Sequence, residues 1–105
     1  MFPFRQYRRR IHSVNGNAKR KKGDVVLSKI NYGNESWVEK NKRYTLQILS
    51  QEGDWKDLQS QIASKDSIIR FPNIPEDQLF LLRCDNNHKR LERPFIWRDK
   101  TVKWY

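Results

Sequence analysis

With 105 residues the chain has the length of one domain with a modest core, and no apolar run approaches the roughly 18 residues of a membrane-spanning helix. Hydrophobic residues make up 36% and charged residues 32%, and the 12% of aromatic residues argues against disorder, since large rings are what a small core is built from. The formal net charge of +10 is uneven: residues 1–43 hold 12 Lys and Arg against 3 Asp and Glu, whereas residues 44–105 hold 10 against 9.

Residues 1–4 read as a loose end, and residues 5–105 as a single domain. The opening Met-Phe-Pro-Phe-Arg-Gln-Tyr lacks the apolar centre of a signal peptide. The chain is therefore expected to be cytoplasmic, or a piece of a longer exported protein. From Arg5 to Val14 the residues Tyr7, Ile11 and Val14 are separated by charges, which predicts a short edge strand guarded by arginines. Asn15-Gly16-Asn17 is a turn signal, and Ala18 to Gly23 a basic loop. Val25, Val26 and Leu27 predict a strand over 24–30, and Asn31 to Ser36 a polar loop.

Trp37-Val38 opens the next unit. Tyr44, Leu46 and Ile48 alternate with Thr45 and Gln47, so 43–49 is a half-buried strand. Gln51-Glu52-Gly53-Asp54 makes a hairpin connection. Trp55 to Ile62 returns with Trp55 and Leu58 out of strict alternation, which predicts a bulge. Ile68 to Phe71 is a strand, and Pro72 to Gln78 a connection carrying two prolines. Leu79 to Cys84 is apolar on both faces and predicts a central strand. Asp85 to Arg90 is a polar turn. Pro94–Trp97 and Thr101–Trp104 form a terminal hairpin around Arg98-Asp99-Lys100, with Phe95, Trp97, Val102 and Trp104 directed at one interior. Seven to eight short strands with regular turns predict an all-β fold, an antiparallel β-sandwich of immunoglobulin or fibronectin III type.

Trp55-Lys56-Asp57-Leu58, Phe71-Pro72-Asn73-Ile74-Pro75, Leu79 to Arg83, Glu92-Arg93-Pro94-Phe95 and the closing Trp104-Tyr105 form an ordered set over residues 43–105. In this the chain resembles the C-terminal β-sandwich domain of large Bacteroidetes proteins, some of which have a transglutaminase-like domain upstream. Where that family has an Asn-Gly or Asp-Gly turn, this chain has Asp99-Lys100. The resemblance implies a non-catalytic accessory module, exported with its parent to the periplasm or cell surface. Its partners would be the upstream domain, another protein or a glycan. The resemblance carries over no catalytic residues.

The residues themselves point to no enzyme. There is no phosphate-binding glycine loop, no dinucleotide fingerprint and no zinc-protease motif. Cys84 and His88 are read as a core thiol and a solvated imidazole, and no cofactor or metal is expected. The feature with functional weight is the basic patch: Arg8, Arg9, Arg10, Lys19, Arg20, Lys21 and Lys22. It reads either as a solubilising, edge-protecting charge run or as a set of phosphate contacts in a small nucleic-acid-binding protein, whose affinity would fall steeply with salt. Trp37 and Trp55 are the candidate stacking rings, for a base or a sugar.

Overall fold

The computed structural model describes residues 21–105. These contain ten strands and no helix: β1 (Lys22–Ser28), β2 (Ile30–Tyr32), β3 (Glu35–Trp37), β4 (Arg43–Leu49), β5 (Trp55–Ile62), β6 (Ile68–Pro75), β7 (Phe80–Cys84), β8 (Lys89–Arg90), β9 (Phe95–Arg98) and β10 (Thr101–Trp104). The chain is all-β, and every strand pair is antiparallel. The predicted strand at Arg5–Val14 lies outside the described residues.

One large sheet runs in the order β10-β9-β7-β4-β5, with β8 also on β7. β1 and β6 form a separate ribbon, and β2 and β3 a small hairpin. Strand β7 is central, flanked by β4 on one side and by β8 and β9 on the other. Its two apolar faces explain that place. Phe80, Leu82 and Cys84 point inward opposite Ile48, Leu46 and Tyr44, while Leu81 is buried on the other face.

The inner face shares one core with the ribbon. Val25, Leu27, Ile69, Phe71 and Ile74 of β1 and β6 pack in the same cluster as Tyr44, Leu46, Phe80, Leu82, Phe95 and Trp97. Two bulges shape the strands. Leu58 is the extra residue of β5, because Leu46 faces Gln59 while Gln47 faces Asp57. On β6, Pro72 and Asn73 together stand opposite Asp24, and Asn73 takes a positive φ of 61°. The double-proline stretch is therefore a bent strand and not a plain connection. Proline is tolerated there because, among the described residues, β6 pairs with β1 alone.

Three short strands exceed the seven to eight expected. Residues 30–37, read in part as a polar loop, fold as the β2–β3 hairpin, with Gly33 at φ 63° supplying the turn. β8 is a two-residue return within the predicted polar turn.

The terminal hairpin belongs to the core. Phe95 and Trp97 are buried, with Val102 and Trp104 packed against the cluster. The Phe95 ring lies 5.6 Å from Phe80 and 4.8 Å from Trp104. Trp97 Nε1 donates to the Pro75 carbonyl at 3.0 Å, and the Asp77 amide donates to the Trp97 carbonyl at 3.1 Å. The indole also closes over Gly23, where an added Cβ would come within 2.9 Å of the ring.

Candidate binding face of the large sheet

Antiparallel register places directly opposed residues on the same face of a sheet, so the outer face can be read strand by strand. Trp55 on β5 stands opposite Leu49 on β4, whose amide donates to the Leu79 carbonyl at 3.0 Å. Phe80 and Phe95 pair on the inner face, so the next residue of β9, Ile96, which faces Lys103, belongs to the outer one. Trp55 on β5, Leu49 on β4, Leu79 just before β7 and Ile96 on β9 thus lie at one end of the outer face. All four are half-buried.

Beside this group lies a polar cluster. Asp57 faces Gln47, and Ser60 faces Thr45, which in turn faces Arg83. Asp57 Oδ1 accepts from Gln47 Nε2 at 2.8 Å and from Arg83 Nη1 at 3.1 Å, and Oδ2 accepts from Arg83 Nη2 at 3.2 Å. Thr45 Oγ1 donates to Asp85 Oδ1 at 2.8 Å and lies 2.7 Å from Ser60 Oγ. The Gln47 carboxamide, and then the Arg83 guanidinium, hold the Asp57 carboxyl below its ordinary value of 3.8 against the opposing effect of burial. Gln47 and Thr45 are buried, at 6% and 1% exposure. Gln47 Oε1 and Arg83 Nε are enclosed without a hydrogen-bond partner among the described residues. Asp57 itself stays open, with its side chain 56% exposed.

This arrangement brings together one of the sequence-predicted site residues, Trp55, with four that sequence reasoning passed over: Gln47, Asp57, Arg83 and Ser60. The signal was present in the alternation of β4, whose outward residues are polar, but its partners on β5 and β7 become visible only through register. The bulge at Leu58 matters here. Without it, Asp57 and Trp55 would fall on the opposite face from Ser60.

The other predicted residues lie elsewhere. Trp37 is 3% exposed, packed in the core with its ring 6.2 Å from Tyr44, so it offers no face for stacking. Its position at the end of the β2–β3 hairpin turns it inward. Lys21 and Lys22 are exposed at the start of β1. With Lys100 they border a groove of about 670 Å3 floored by Trp97, Val25 and Val102. Asp24 and Glu76 line the same groove; Asp24 pairs with Arg70, and Glu76 Oε2 accepts the Asp99 amide at 3.0 Å. Arg8, Arg9, Arg10, Lys19 and Arg20 lie outside the described residues.

Cys84 is buried on the inner face, and His88 is exposed in the β7–β8 turn. Among the described residues no three His, Cys, Asp or Glu side chains gather as a metal site, and no helix is long and apolar enough to cross a membrane. Comparison with protein-family models, with curated proteins and with solved structures found no match.

Proposed function

We propose that the chain is a non-catalytic accessory module of a larger exported protein, a small sandwich of immunoglobulin or fibronectin III type that holds its parent to a target through the outer face of the large sheet. The observation that carries this reading is the half-buried apolar group Trp55, Leu49, Leu79 and Ile96 beside an ordered polar cluster. Contiguous apolar surface of this kind, next to fixed polar groups, marks a contact surface. The family resemblance over residues 43–105 supports the accessory role, and export to the periplasm or cell surface follows from it. Protein and glycan are the two partner classes.

The competing reading is a small basic nucleic-acid-binding protein. In its favour, Lys21, Lys22 and Lys100 border one groove. Against it, Asp24, Glu76 and Asp99 line the same groove and oppose a phosphate backbone. The module reading is therefore preferred.

The test is made on the complete gene product in its native host. Deleting residues 21–105 is expected to leave any turnover on soluble substrate within about twofold, while attachment of the parent to its target is lost, and Trp55→Ala to weaken that attachment. Loss of turnover with the deletion, or a gene product that is cytoplasmic and no longer than this chain, contradicts the reading.

A further inference from the structure

We infer that the groove between β1 and the terminal hairpin is the seat of the chain's own N-terminal segment, with Arg5–Val14 lying antiparallel along the open edge of β1. The groove is a different surface from the outer face of the large sheet, so the inference stands or falls apart from the reading of that face.

The lining of the groove identifies it as a strand edge. Lys21 to Val26 are consecutive and all border it, although side chains alternate across a strand. No residue of β6 borders it, and the opposite wall is made by Trp97, Lys100 and Val102 of the terminal hairpin. The groove therefore runs along the edge of β1 that faces away from β6. Among the described residues β1 pairs with β6 alone, so a row of backbone N–H and C=O groups on this edge has no strand to bond. The floor is apolar, since Val25 and Trp97 are buried and Val102 is half-buried, and Val26 beside it is 52% exposed. One carboxylate also wants a cation. Glu76 is only 8% exposed, its Oε2 accepts the Asp99 amide at 3.0 Å, and it has no ion pair among the described residues. A buried charge is costly unless it is paired as well as hydrogen-bonded. An occupant must therefore be an extended strand with apolar side chains and positive charge.

Residues 1–20 lie outside the described residues, and their sequence meets these demands. They join the fold at Lys21, on the border of the groove, and so begin at its mouth. Arg5–Val14 has the pattern of a strand, and Tyr7 and Ile11 share one face of it. The twenty residues hold six Lys and Arg and no Asp or Glu. Lys19 and Arg20 stand next in sequence to Lys21, whose carbonyl accepts the Glu76 amide at 3.0 Å, so the basic loop delivers a cation to that carboxylate.

The direction follows from the length of the connection. Residues 15–21 separate Val14 from β1, and a parallel crossover needs about a dozen residues or more. An antiparallel return needs only a turn, which Asn15-Gly16-Asn17 supplies. At ordinary rise Arg5–Val14 spans about 33 Å, enough to cover the roughly 23 Å of β1. The tether also selects this occupant over a free peptide or a second copy, because a short linker holds its segment at an effective concentration on the order of millimolar. The arginines Arg8, Arg9 and Arg10 then lie on the new outer edge of a three-stranded ribbon, where charge discourages further pairing.

The experiment is NMR spectroscopy of the whole 105-residue chain, with its mass measured by light scattering. Cross-strand NOEs are expected between residues 5–14 and 22–28, together with NOEs from Tyr7 or Ile11 to Trp97 or Val102, at a monomer mass. Ile11→Asp removes one buried aliphatic side chain from the strand and should speed exchange of the β1-edge amides by roughly tenfold or more. The Trp55 indole and the amides of β4, β5 and β7 should keep their shifts in that variant, which separates release of the segment from unfolding. Random-coil shifts over residues 5–14, or unchanged β1 exchange in Ile11→Asp, overturn the inference. NOEs that accompany a dimer mass and vanish on dilution also overturn it, because the groove then takes the segment of a second copy.

Discussion

Lys100 shows how a single residue departs from what its backbone asks for. Asp99 and Lys100 have φ of 50° and 66°, the two left-handed positions of a type I′ turn, and β9 and β10 leave this turn in register, with Thr101 opposite Arg98. Glycine at the second position avoids the clash that a Cβ suffers there. Asp99 is suited to its place, and its amide is held by the buried Glu76. Lys100 is not suited, and its side chain makes no compensating hydrogen bond among the described residues. Lys100→Gly is accordingly expected to stabilise the domain by about 0.5–1 kcal/mol, raising the melting midpoint by about 2–8 °C. A lower midpoint would show that the turn has another geometry in solution. The hairpin thus takes the I′ form without a glycine.

At the scale of elements, most of the large sheet was legible in the sequence. The alternation of 43–49, the doubly apolar run 79–84 and the Trp-rich terminal hairpin each announced a strand, and each is one. What was not legible is instructive. The two-residue β8 and the β2–β3 hairpin are too short for a periodic signal. The Pro72–Pro75 stretch looked like a break because proline lacks an N–H, yet β6 runs through it, since among the described residues its second edge has no ladder to supply. The candidate site was the least legible part. Trp55 was singled out, but Asp57, Gln47 and Arg83 are ordinary polar residues in sequence and acquire meaning only across three strands. Trp37 shows the converse: a tryptophan in a polar neighbourhood that is nonetheless core.

The terminal hairpin supplies the sharpest test at this scale. Its rings close the inner face, and Arg98 binds Asp77 through Nε at 3.0 Å and Nη2 at 2.7 Å, tying the hairpin to the segment after β6. Removal of a buried aromatic side chain costs about 3–5 kcal/mol, against a total of about 5–15 kcal/mol for a domain. Trp97→Ala also leaves the Pro75 carbonyl without its indole donor. Thermal melts should therefore show Trp97→Ala strongly destabilised, and deletion of residues 98–105 unfolded or molten. An unchanged midpoint and amide spectrum for the truncated chain would mean that the hairpin is dispensable.

For the whole molecule, the fold divides its surfaces by chemistry. The inner face of the large sheet is spent on the core it shares with the β1–β6 ribbon. The outer face keeps a half-buried tryptophan, neighbouring aliphatic side chains and a hydrogen-bonded carboxylate, none of which that core requires. The lysines at the start of β1 border a different surface, so charge and stacking are not combined in one site among the described residues. If the outer face serves a partner, it is open to solvent in the 105-residue chain. The most direct measurement is solvent paramagnetic relaxation by a soluble gadolinium chelate, read at the indole N–H signals. Strong broadening of the Trp55 signal and of the Leu79 and Ile96 methyls is expected, with Trp37 and Trp97 protected. Protection of Trp55 equal to that of Trp97 would contradict it, because the face would then be covered by the chain itself.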